Sequence, residues 1–441
     1  MSVLESPAMG RRTVSPGGSI SGQVELPGDK SISHRYAILS ALSQGTSEIS
    51  NFASAADCQS TLECLRRLGV PVESHDGLIR ISGKGLDGLE KPRRQLDAQN
   101  SGSTMRMLAG VLAGQPFTTT VTGDDSLRRR PMRRIMDPLR QMGAEIQSSA
   151  GDRAPLQIRG GRLHAIDYTA PVPSAQVKSA ILFAGLYADG ETTVRESVGT
   201  RDHTELALSE FGAEVVTSRG MVRIHPRPRL LARKLVVPGD LSTAIFLIGA
   251  TLLLPRSSLM LEKVGLNPTR SRVLDFLVSI GAPIRVPSLQ VRDGELAGSV
   301  SVTHARLEGG TISGTQVAEM IDELPMLAAL GPFTERGIEI HEAKELRVKE
   351  SDRIAALSEG LRRMGAGVEE FPDGLRVEGC SAGKLRGAEV DPHGDHRIAM
   401  ALAVAALGAE GETVIRDADC VAVSFPEFFT TLERLRGVEK P

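Results

Sequence analysis

Three side chains that can bind anions stand where buried helices are expected to begin. Lys30 lies in LPGDKSISHR, Gln176 in PSAQVKSA and Arg397 in GDHRIAMA, and an apolar run follows each of them. None of the three is a preferred N-cap residue, and a cation opposes the dipole at the start of a helix. Because a helix N-terminus presents free N–H groups that favour an anion, we expect these side chains to contact an anionic ligand. The serine, asparagine and aspartate residues at the same starts are ordinary helix caps on the simplest interpretation.

Two carboxylates are candidates for general acid and general base. Asp322 lies in MIDELPML, which we expect to be an otherwise apolar helix, where a buried carboxylate is costly unless it is paired or functional. Glu350 lies between Lys349 and Arg353, so a surface ion pair is the alternative explanation for it.

Arginine-rich loops supply further charges in DDSLRRRPMRR, SVGTRDHTE and AKELRVKESDR. A run such as RRRPMRR is usually a solvated face or a nonspecific phosphate patch. Guanidinium groups collected from several loops would also suit small substrates rich in phosphate and carboxylate, because they bind both in bidentate fashion.

Two phrases that repeat six times predict the elements that position these residues. The first ends an amphipathic helix on a left-handed glycine before a strand, as in LRRLGVPV, LRQMGAEI, LSEFGAEV, LVSIGAPI, LRRMGAGV and LERLRGVE. The second is a turn followed by a strand, as in QGTSEIS, GQPFTTTVTG, DGETTVRES, PRSSLMLEK, ERGIEIHEA and EGETVIRDA. An apolar helix precedes each second phrase and must be buried on nearly every face. The sequence therefore predicts six repeated β/α units.

The six units fall into two sets of three. LPGDKS at 26–31 is echoed by VPGDLS at 237–242, which suggests that Gly28 and Gly239 belong to two strands of one hinge. We therefore predict an α/β protein with two similar domains, each of three β/α units around buried central helices. The predicted domains are 28–237, and 1–27 together with 238–441.

Composition excludes several classes of protein. The net charge of −2 and the aromatic content of 3% argue against a nucleic-acid-binding protein. The longest apolar run, at 244–255, falls well short of the roughly 20 residues that span a membrane. MSVLESPAMGRR lacks a signal-peptide core, which predicts a short tail on a cytoplasmic protein. The four cysteines contain no CxxC, which disfavours a metal site or disulfides, and the interval between Cys58 and Cys64 favours two core thiols.

Seven phrases in order resemble the 5-enolpyruvylshikimate-3-phosphate synthase family: LPGDKSISHR, NSGSTMR, PSAQVKSA, MIDELP, RVKESDR, GDHRIAMA and SFPEFF. The resemblance runs from about residue 17 to residue 436. It implies transfer of an enolpyruvyl group from phosphoenolpyruvate to the hydroxyl of shikimate-3-phosphate, with release of phosphate. It also implies two domains of three inverted β/α units joined by a two-strand hinge, no cofactor or metal, and a monomer.

The resemblance assigns roles residue by residue. Asp322 resembles the base at the attacking hydroxyl, Glu350 the group that handles the methylene proton, and Lys30 a residue that touches both substrates. The implied shikimate-3-phosphate ligands are Lys30, Ser31, Arg35, Ser174, Ala175, Gln176, Arg201, Asp322 and Lys349. The implied phosphoenolpyruvate ligands are Lys30, Asn100, Gly102, Arg130, Gln176, Arg353 and Arg397. His34 has no implied ligand, and we expect it to be structural.

Two positions depart from the family pattern. Val423 stands where many members carry a lysine that contacts phosphoenolpyruvate, and Ala175 stands where many carry a second serine. Both features resemble a branch that includes glyphosate-tolerant members, in which tolerance is associated with alanine at the position of Gly102. Because this chain keeps Gly102, we predict that glyphosate competes with phosphoenolpyruvate.

Three alternative functions fit the sequence less well. The sister transferase that acts on a UDP-linked amino sugar normally uses a loop cysteine, and residues 110–135 contain none. An RNA-binding module would favour aromatic stacking platforms and a basic surface. A catalytically silent scaffold would have little reason to place charges such as Lys30 and Arg397 at buried helix starts.

Overall fold

The computed structural model of the chain describes residues 10–75 and 77–437, so most of the predicted tail MSVLESPAMGRR lies outside the described residues. The α-helices of the described residues are, in chain order, α1 (Lys30–Leu42), α2 (Ala56–Arg67), α3 (Gly102–Ala113), α4 (Asp125–Arg129), α5 (Arg133–Gln141), α6 (Ala175–Gly185), α7 (His203–Glu210), α8 (Leu241–Leu253), α9 (Arg272–Ser279), α10 (Thr315–Glu319), α11 (Leu324–Leu330), α12 (Arg353–Arg363), α13 (His396–Leu407) and α14 (Phe428–Leu435). Short 3-10 helices span Gly331–Phe333, Lys344–Val348, Cys380–Ala382 and Ala418–Val423.

The strands are short and regularly spaced between these helices. They are, in chain order, β1 (Arg12–Val14), β2 (Ser21–Glu25), β3 (Gln44–Ser50), β4 (Val72–His75), β5 (Leu78–Lys84), β6 (Leu96–Asp97), β7 (Thr118–Thr122), β8 (Glu145–Ser149), β9 (Arg153–Arg159), β10 (Asp167–Thr169), β11 (Thr192–Arg195), β12 (Val215–Ser218), β13 (Met221–Ile224), β14 (Lys234–Val236), β15 (Ser258–Gly265), β16 (Ile284–Arg292), β17 (Glu295–Thr303), β18 (Gly310–Ile312), β19 (Ile338–Ile340), β20 (Val368–Phe371), β21 (Gly374–Val377), β22 (Glu389–Val390) and β23 (Thr413–Ile415).

The chain divides into two compact units. Unit I comprises Pro27–Gly239 with Gln290–Ala297, and unit II comprises the residues up to Leu26, Asp240–Leu289 and those from Gly298 onward. Each unit has its own hydrophobic core. The core of unit I is built on α1, α3 and α6, whereas the core of unit II is built on α8, α11 and α13. These helices are buried on nearly every face because their sequences are apolar on nearly every face.

The three sheets of unit I share one pattern, and unit II has two four-stranded sheets and one three-stranded sheet. In unit I the strand orders are β14-β3-β5-β4, β6-β7-β9-β8 and β10-β11-β13-β12, and each sheet has one parallel pairing followed by two antiparallel pairings. In unit II the orders are β16-β17-β15-β2, β18-β19-β21-β20 and β1-β23-β22. The N-terminal strands β1 and β2 thus complete two sheets of unit II, β1 antiparallel to β23 and β2 parallel to β15. The α/β fold class with repeated units is confirmed.

The six glycines of the first repeated phrase adopt the predicted left-handed conformation. Their φ angles lie between 66° and 105°, a region that favours glycine, and the residues are Gly69, Gly143, Gly212, Gly281, Gly365 and Gly437. Each follows an amphipathic helix, so the predicted helix ends are confirmed.

One prediction about local structure is wrong. MIDELPML does not form one helix, because α10 ends at Glu319 and α11 begins at Leu324, with Asp322 in the turn between them. Pro325 explains the break, since proline fits the first turn of a helix but not its interior. Cys58 and Cys64 are buried, which confirms the prediction that they are core thiols, whereas Cys380 is exposed and Cys420 is partly exposed.

No helix in the described part of the chain is both long and apolar enough to cross a membrane.

Candidate functional site

The candidate residues of unit II form one cluster around Arg353, the first residue of α12. Its Nη2 donates to Glu350 Oε2 at 2.6 Å, and its Nη1 lies 3.4 Å from Asp322 Oδ1. Its Nε donates to Asp395 Oδ2 at 2.8 Å. Burial alone would lower the pKa of Arg353, but the three carboxylates outweigh burial and raise it above its usual range. Arg353 is therefore a permanent cation that orients two half-buried carboxylates.

Asp322 has two further cationic neighbours. Lys349, at the end of the 3-10 helix Lys344–Val348, places Nζ 3.6 Å from Asp322 Oδ1. Arg397, in the first turn of α13, donates from Nη1 to the backbone oxygen of Asp322 at 2.9 Å. The turn between α10 and α11 thus presents a carboxylate that lies among three cations. Such a group can accept a proton from a substrate hydroxyl, while its neighbours can attract phosphate or carboxylate.

Neither Lys30 nor Arg397 caps the helix in which it lies. Asp29 accepts from Ile32 N at 3.0 Å at the start of α1, and Asp395 Oδ1 accepts from Arg397 N at 2.9 Å at the start of α13. The two cations are therefore not needed as caps. Lys30 Nζ lies 2.8 Å from Asp57 Oδ2 in the first turn of α2.

Arg35 lies in the interior of unit I, within a polar network. Its Nε donates to Thr204 Oγ1 at 2.6 Å, its Nη2 to Ser179 Oγ at 2.8 Å, and its Nη1 to the backbone oxygen of Ser31 at 2.8 Å. Burial lowers the pKa of Arg35 to about 10, which leaves it charged at neutral pH. Arg35 thus joins α1 to α6 and α7, and it holds the backbone of Ser31 in place.

The start of α3 gathers a second set of candidates. Asn100 Oδ1 accepts from Arg130 Nη2 at 2.7 Å, while Asn100 Nδ2 donates to Asp124 Oδ2 at 2.7 Å. Ser101 caps α3 by accepting from Thr104 N at 3.1 Å. Gly102 is the first residue of this helix and is buried beside the guanidinium of Arg130.

The start of α6 lies against α3. Ser174 caps α6 by accepting from Val177 N at 3.4 Å. Ala175 follows as the first helical residue. Gln176 accepts from Arg106 Nη1 at 2.5 Å and donates to Ser103 Oγ at 2.9 Å.

The close approach of α3 and α6 requires a glycine in α3. A Cβ on Gly110 would lie 2.1 Å from the backbone oxygen of Ala180. Gly110 therefore lets the two helices pack closely enough for Gln176 to reach both Arg106 and Ser103.

The remaining candidates lie elsewhere. Arg201 is half-buried in the segment between β11 and α7. Val423 is half-buried at the end of the 3-10 helix Ala418–Val423 of unit II. His34 is buried in α1, and its Nδ1 lies 2.7 Å from Thr61 Oγ1, in agreement with a structural role.

Sequence reasoning missed four partners of the candidate residues. Asp57 pairs with Lys30, Arg106 with Gln176, Asp124 with Asn100, and Asp395 with Arg353. A cation inside the apolar run of α3 could have singled out Arg106. The three aspartates resemble ordinary helix-start residues in the sequence, so they carry no comparable signal.

The fold of the chain is similar to that of solved enolpyruvyl transferase structures. The solved structure of the enolpyruvyl transferase NikO from Streptomyces tendae matches with a TM-score of 0.74 at 19% identity, covering 96% of each chain, and this likeness shows the fold alone. The structure of EPSP synthase from Acinetobacter baumannii matches with a TM-score of 0.85 at 38% identity, covering 96% of this chain and 98% of that one.

Sequence comparison defines the family. The family described as EPSP synthase (3-phosphoshikimate 1-carboxyvinyltransferase) matches residues 14–432. The 3-phosphoshikimate 1-carboxyvinyltransferase of Solibacter usitatus is 56% identical over 424 residues, covering 96% of this chain and 99% of the relative. The chain belongs to the EPSP synthase family.

Proposed function

We propose that the Asp322–Glu350–Arg353 cluster supplies the acid and base chemistry of the family's reaction. The chain is a transferase of the shikimate pathway that moves the enolpyruvyl group of phosphoenolpyruvate to shikimate-3-phosphate. This activity is favoured over transfer to a UDP-linked amino sugar, since family and relatives are described by the shikimate activity. The observation that carries the proposed roles is that one buried guanidinium contacts both carboxylates, at 2.6 Å and 3.4 Å.

The reaction has two steps, addition and elimination, and each step needs one proton transfer at oxygen and one at carbon. In the addition step, Asp322 takes the proton of the 5-hydroxyl as its oxygen bonds to C2 of phosphoenolpyruvate, and Glu350 delivers a proton to the methylene carbon. The product of addition is a tetrahedral intermediate with a methyl group. In the elimination step the C2–O bond to phosphate breaks, Glu350 takes a methyl proton, and the enolpyruvyl double bond forms again. The departing phosphate accepts the proton that Asp322 took from the hydroxyl, which restores the Asp322 carboxylate.

The residues of unit I would bind the substrates. The proposed shikimate-3-phosphate ligands of this unit are Lys30, Ser31, Arg35, Ser174, Ala175, Gln176 and Arg201. Unit II adds Asp322 and Lys349 to this proposed set. Arg35 supports this role mainly by fixing Ser31, because its own three nitrogens already donate within unit I. Cations and helix N-termini suit a phosphate monoester, and they hold it without covalent chemistry.

Guanidinium groups would hold phosphoenolpyruvate. The proposed phosphoenolpyruvate contacts in unit I are Lys30, Asn100, Gly102, Arg130 and Gln176. The proposed contacts in unit II are Arg353 and Arg397. Bidentate binding by arginine fits the carboxylate and phosphate of this substrate, and fixed cations stabilise charge on the departing phosphate. The predicted monomeric state, cytoplasmic location and absence of a nucleic-acid partner stay predictions.

Deuterium exchange tests the role of Glu350 directly. In D2O, each cycle of addition and elimination exchanges methylene hydrogen for deuterium, which NMR can follow. We expect Glu350→Gln to slow this exchange by about 100-fold or more, since general acid–base groups contribute on that order. Glu369→Gln, an exposed glutamate in β20, is the matched control. Exchange at the wild-type rate in Glu350→Gln would remove this residue from the proton path.

A further inference from the structure

Lys178 makes a buried contact that the proposed chemistry does not use. It lies in the first turns of α6, and its Nζ is 2.7 Å from Glu205 Oε1 and 2.9 Å from Glu196 Oε2. The side chains of Lys178, Glu205 and Glu196 are 3%, 5% and 6% exposed. Burying three charges costs desolvation free energy, and only close pairing of the ammonium with the two carboxylates can offset this cost.

The two glutamates flank the segment that carries Arg201. Glu196 directly follows β11, and Glu205 lies in the first turn of α7. Lys178 Nζ also donates to the backbone oxygen of Thr200 at 3.4 Å, and Thr200 Oγ1 donates to Glu196 Oε1 at 2.5 Å. One ammonium therefore ties both ends of the segment to α6, and it contacts the residue immediately before Arg201.

The neighbouring residues extend the same connection to Arg35. Ser179 follows Lys178 and accepts from Arg35 Nη2 at 2.8 Å, while Thr204 precedes Glu205 and accepts from Arg35 Nε at 2.6 Å. Ser179 Oγ also lies 2.6 Å from Thr204 Oγ1. Three segments with proposed shikimate-3-phosphate ligands, namely α1, the start of α6 and the segment with Arg201, thus meet in one buried polar network.

We propose that Lys178 is a positioning residue for the shikimate-3-phosphate site. It acts through Glu196, Thr200 and Glu205 to fix Arg201, and through α6 and α7 to fix Arg35. This inference rests on the proposed function of Arg201 and Arg35. Burial lowers the pKa of Lys178, but Glu205 and Glu196 outweigh burial and raise this pKa above its usual value, so the side chain is an ammonium at neutral pH.

The test compares the KM of each substrate with kcat. We expect Lys178→Met to raise the KM of shikimate-3-phosphate about tenfold or more, because a small displacement of a positioned ligand is costly. The KM of phosphoenolpyruvate and kcat should change by less than about threefold. Lys84→Met, which breaks the exposed pair with Glu90 in the same unit, is the matched control and should leave all three constants unchanged.

Two further variants keep the test valid if Lys178→Met does not fold. Lys178→Met with Glu205→Gln removes one positive and one negative charge together, and Thr200→Val removes only the hydroxyl that bonds Glu196. Both should be folded by circular dichroism and should raise the KM of shikimate-3-phosphate selectively, Thr200→Val by about threefold, as expected for one lost hydrogen bond.

Arg201→Gln, measured in parallel, separates the possible failures. If Arg201→Gln raises the KM of shikimate-3-phosphate and the folded Lys178 and Thr200 variants do not, the positioning role is overturned while the proposed function stands. Equal rises in the KM of both substrates would reduce Lys178 to a purely structural residue. If Arg201→Gln leaves the KM unchanged, the proposed role of Arg201 fails, and the inference fails with it.

Discussion

Asp395 and Arg353 form an ion pair that solvent does not reach. Arg353 Nε lies 2.8 Å from Asp395 Oδ2, and the two side chains are 1% and 0% exposed. The other oxygen of Asp395 caps α13 by accepting from Arg397 N. A single carboxylate thus holds the starts of α12 and α13, each of which carries an arginine that we propose binds phosphoenolpyruvate.

Removing the charge of Asp395 should strongly destabilise unit II. Asp395→Asn keeps an oxygen for the cap but leaves the Arg353 guanidinium without its closest buried partner. We expect the free energy of unfolding to fall by about 3–5 kcal/mol, as when one partner of a buried pair is removed. Urea denaturation followed by circular dichroism measures this loss. The control Asp275→Asn removes the exposed ion pair with Arg272 and should cost less than about 1 kcal/mol. A loss that small for Asp395→Asn would show that the buried pair with Arg353 contributes little to stability.

Asp322→Asn should lower turnover more than substrate affinity. The amide is nearly isosteric but cannot take the hydroxyl proton, so we expect kcat to fall by about 100-fold to 10,000-fold. The KM of shikimate-3-phosphate should change only a few-fold, since the proposed ligands of unit I are intact. Steady-state kinetics on purified variants measures both constants, with Asp275→Asn as the surface control. A kcat near that of the wild type would show that Asp322 is not the base.

Gly102→Ala should weaken glyphosate inhibition. A Cβ at this position would lie 2.8 Å from Arg106 Nη1 and 3.3 Å from Arg130 Nη1, so the ends of both side chains must shift. The wild-type enzyme should be inhibited by glyphosate in competition with phosphoenolpyruvate, and the variant should require a higher concentration. Gly161→Ala, where a Cβ would meet nothing within 4 Å, is the control. Equal tolerance in the wild type and Gly102→Ala would refute the prediction.

His34 should make the protein less stable in mild acid. Burial, together with Lys30 and Arg35, holds the pKa of His34 well below 6.5, so the folded protein keeps it neutral. The unfolded chain binds a proton below about pH 6.5, and stability from this group is therefore present above that pH and lost as the pH falls.

His34→Gln isolates this contribution. Between pH 7.5 and pH 5, the unfolding free energy of the wild type should fall more than that of the variant, at a slope of up to ~1.4 kcal/mol per pH unit below pH 6.5. Urea denaturation at both pH values measures the difference, and His393→Gln, an exposed histidine, should behave as the wild type does. Parallel pH dependence in wild type and His34→Gln would contradict a buried neutral imidazole.

The repeated elements could be predicted because their signals are local. A helix that ends in the left-handed conformation favours glycine at that position, so its end is visible in the sequence. All six of these glycines, such as Gly69 and Gly365, have positive φ. The buried helices were equally clear from their apolar faces. The apolar composition of MIDELPML suggests one helix, but Pro325 permits a helix only from its first turn, so a new helix begins after Asp322.

The partners of the candidate residues could not be predicted, because they depend on packing between distant elements. Nothing near Arg353 in the sequence points to Asp395, 42 residues away, or to Asp322. The same holds for Lys178 and Glu205, which the packing of α6 against α7 brings together. The residue types predicted contacts with phosphate and carboxylate, whereas the pairing of charges could be seen only in the fold.

Phosphate release tests the activity and its substrate most directly. The purified enzyme is supplied with phosphoenolpyruvate and either shikimate-3-phosphate or UDP-N-acetylglucosamine, and inorganic phosphate is measured over time. We predict release with shikimate-3-phosphate that Asp322→Asn and Glu350→Gln both suppress, and none above background with the UDP-sugar. Release with the UDP-sugar alone would contradict the assignment.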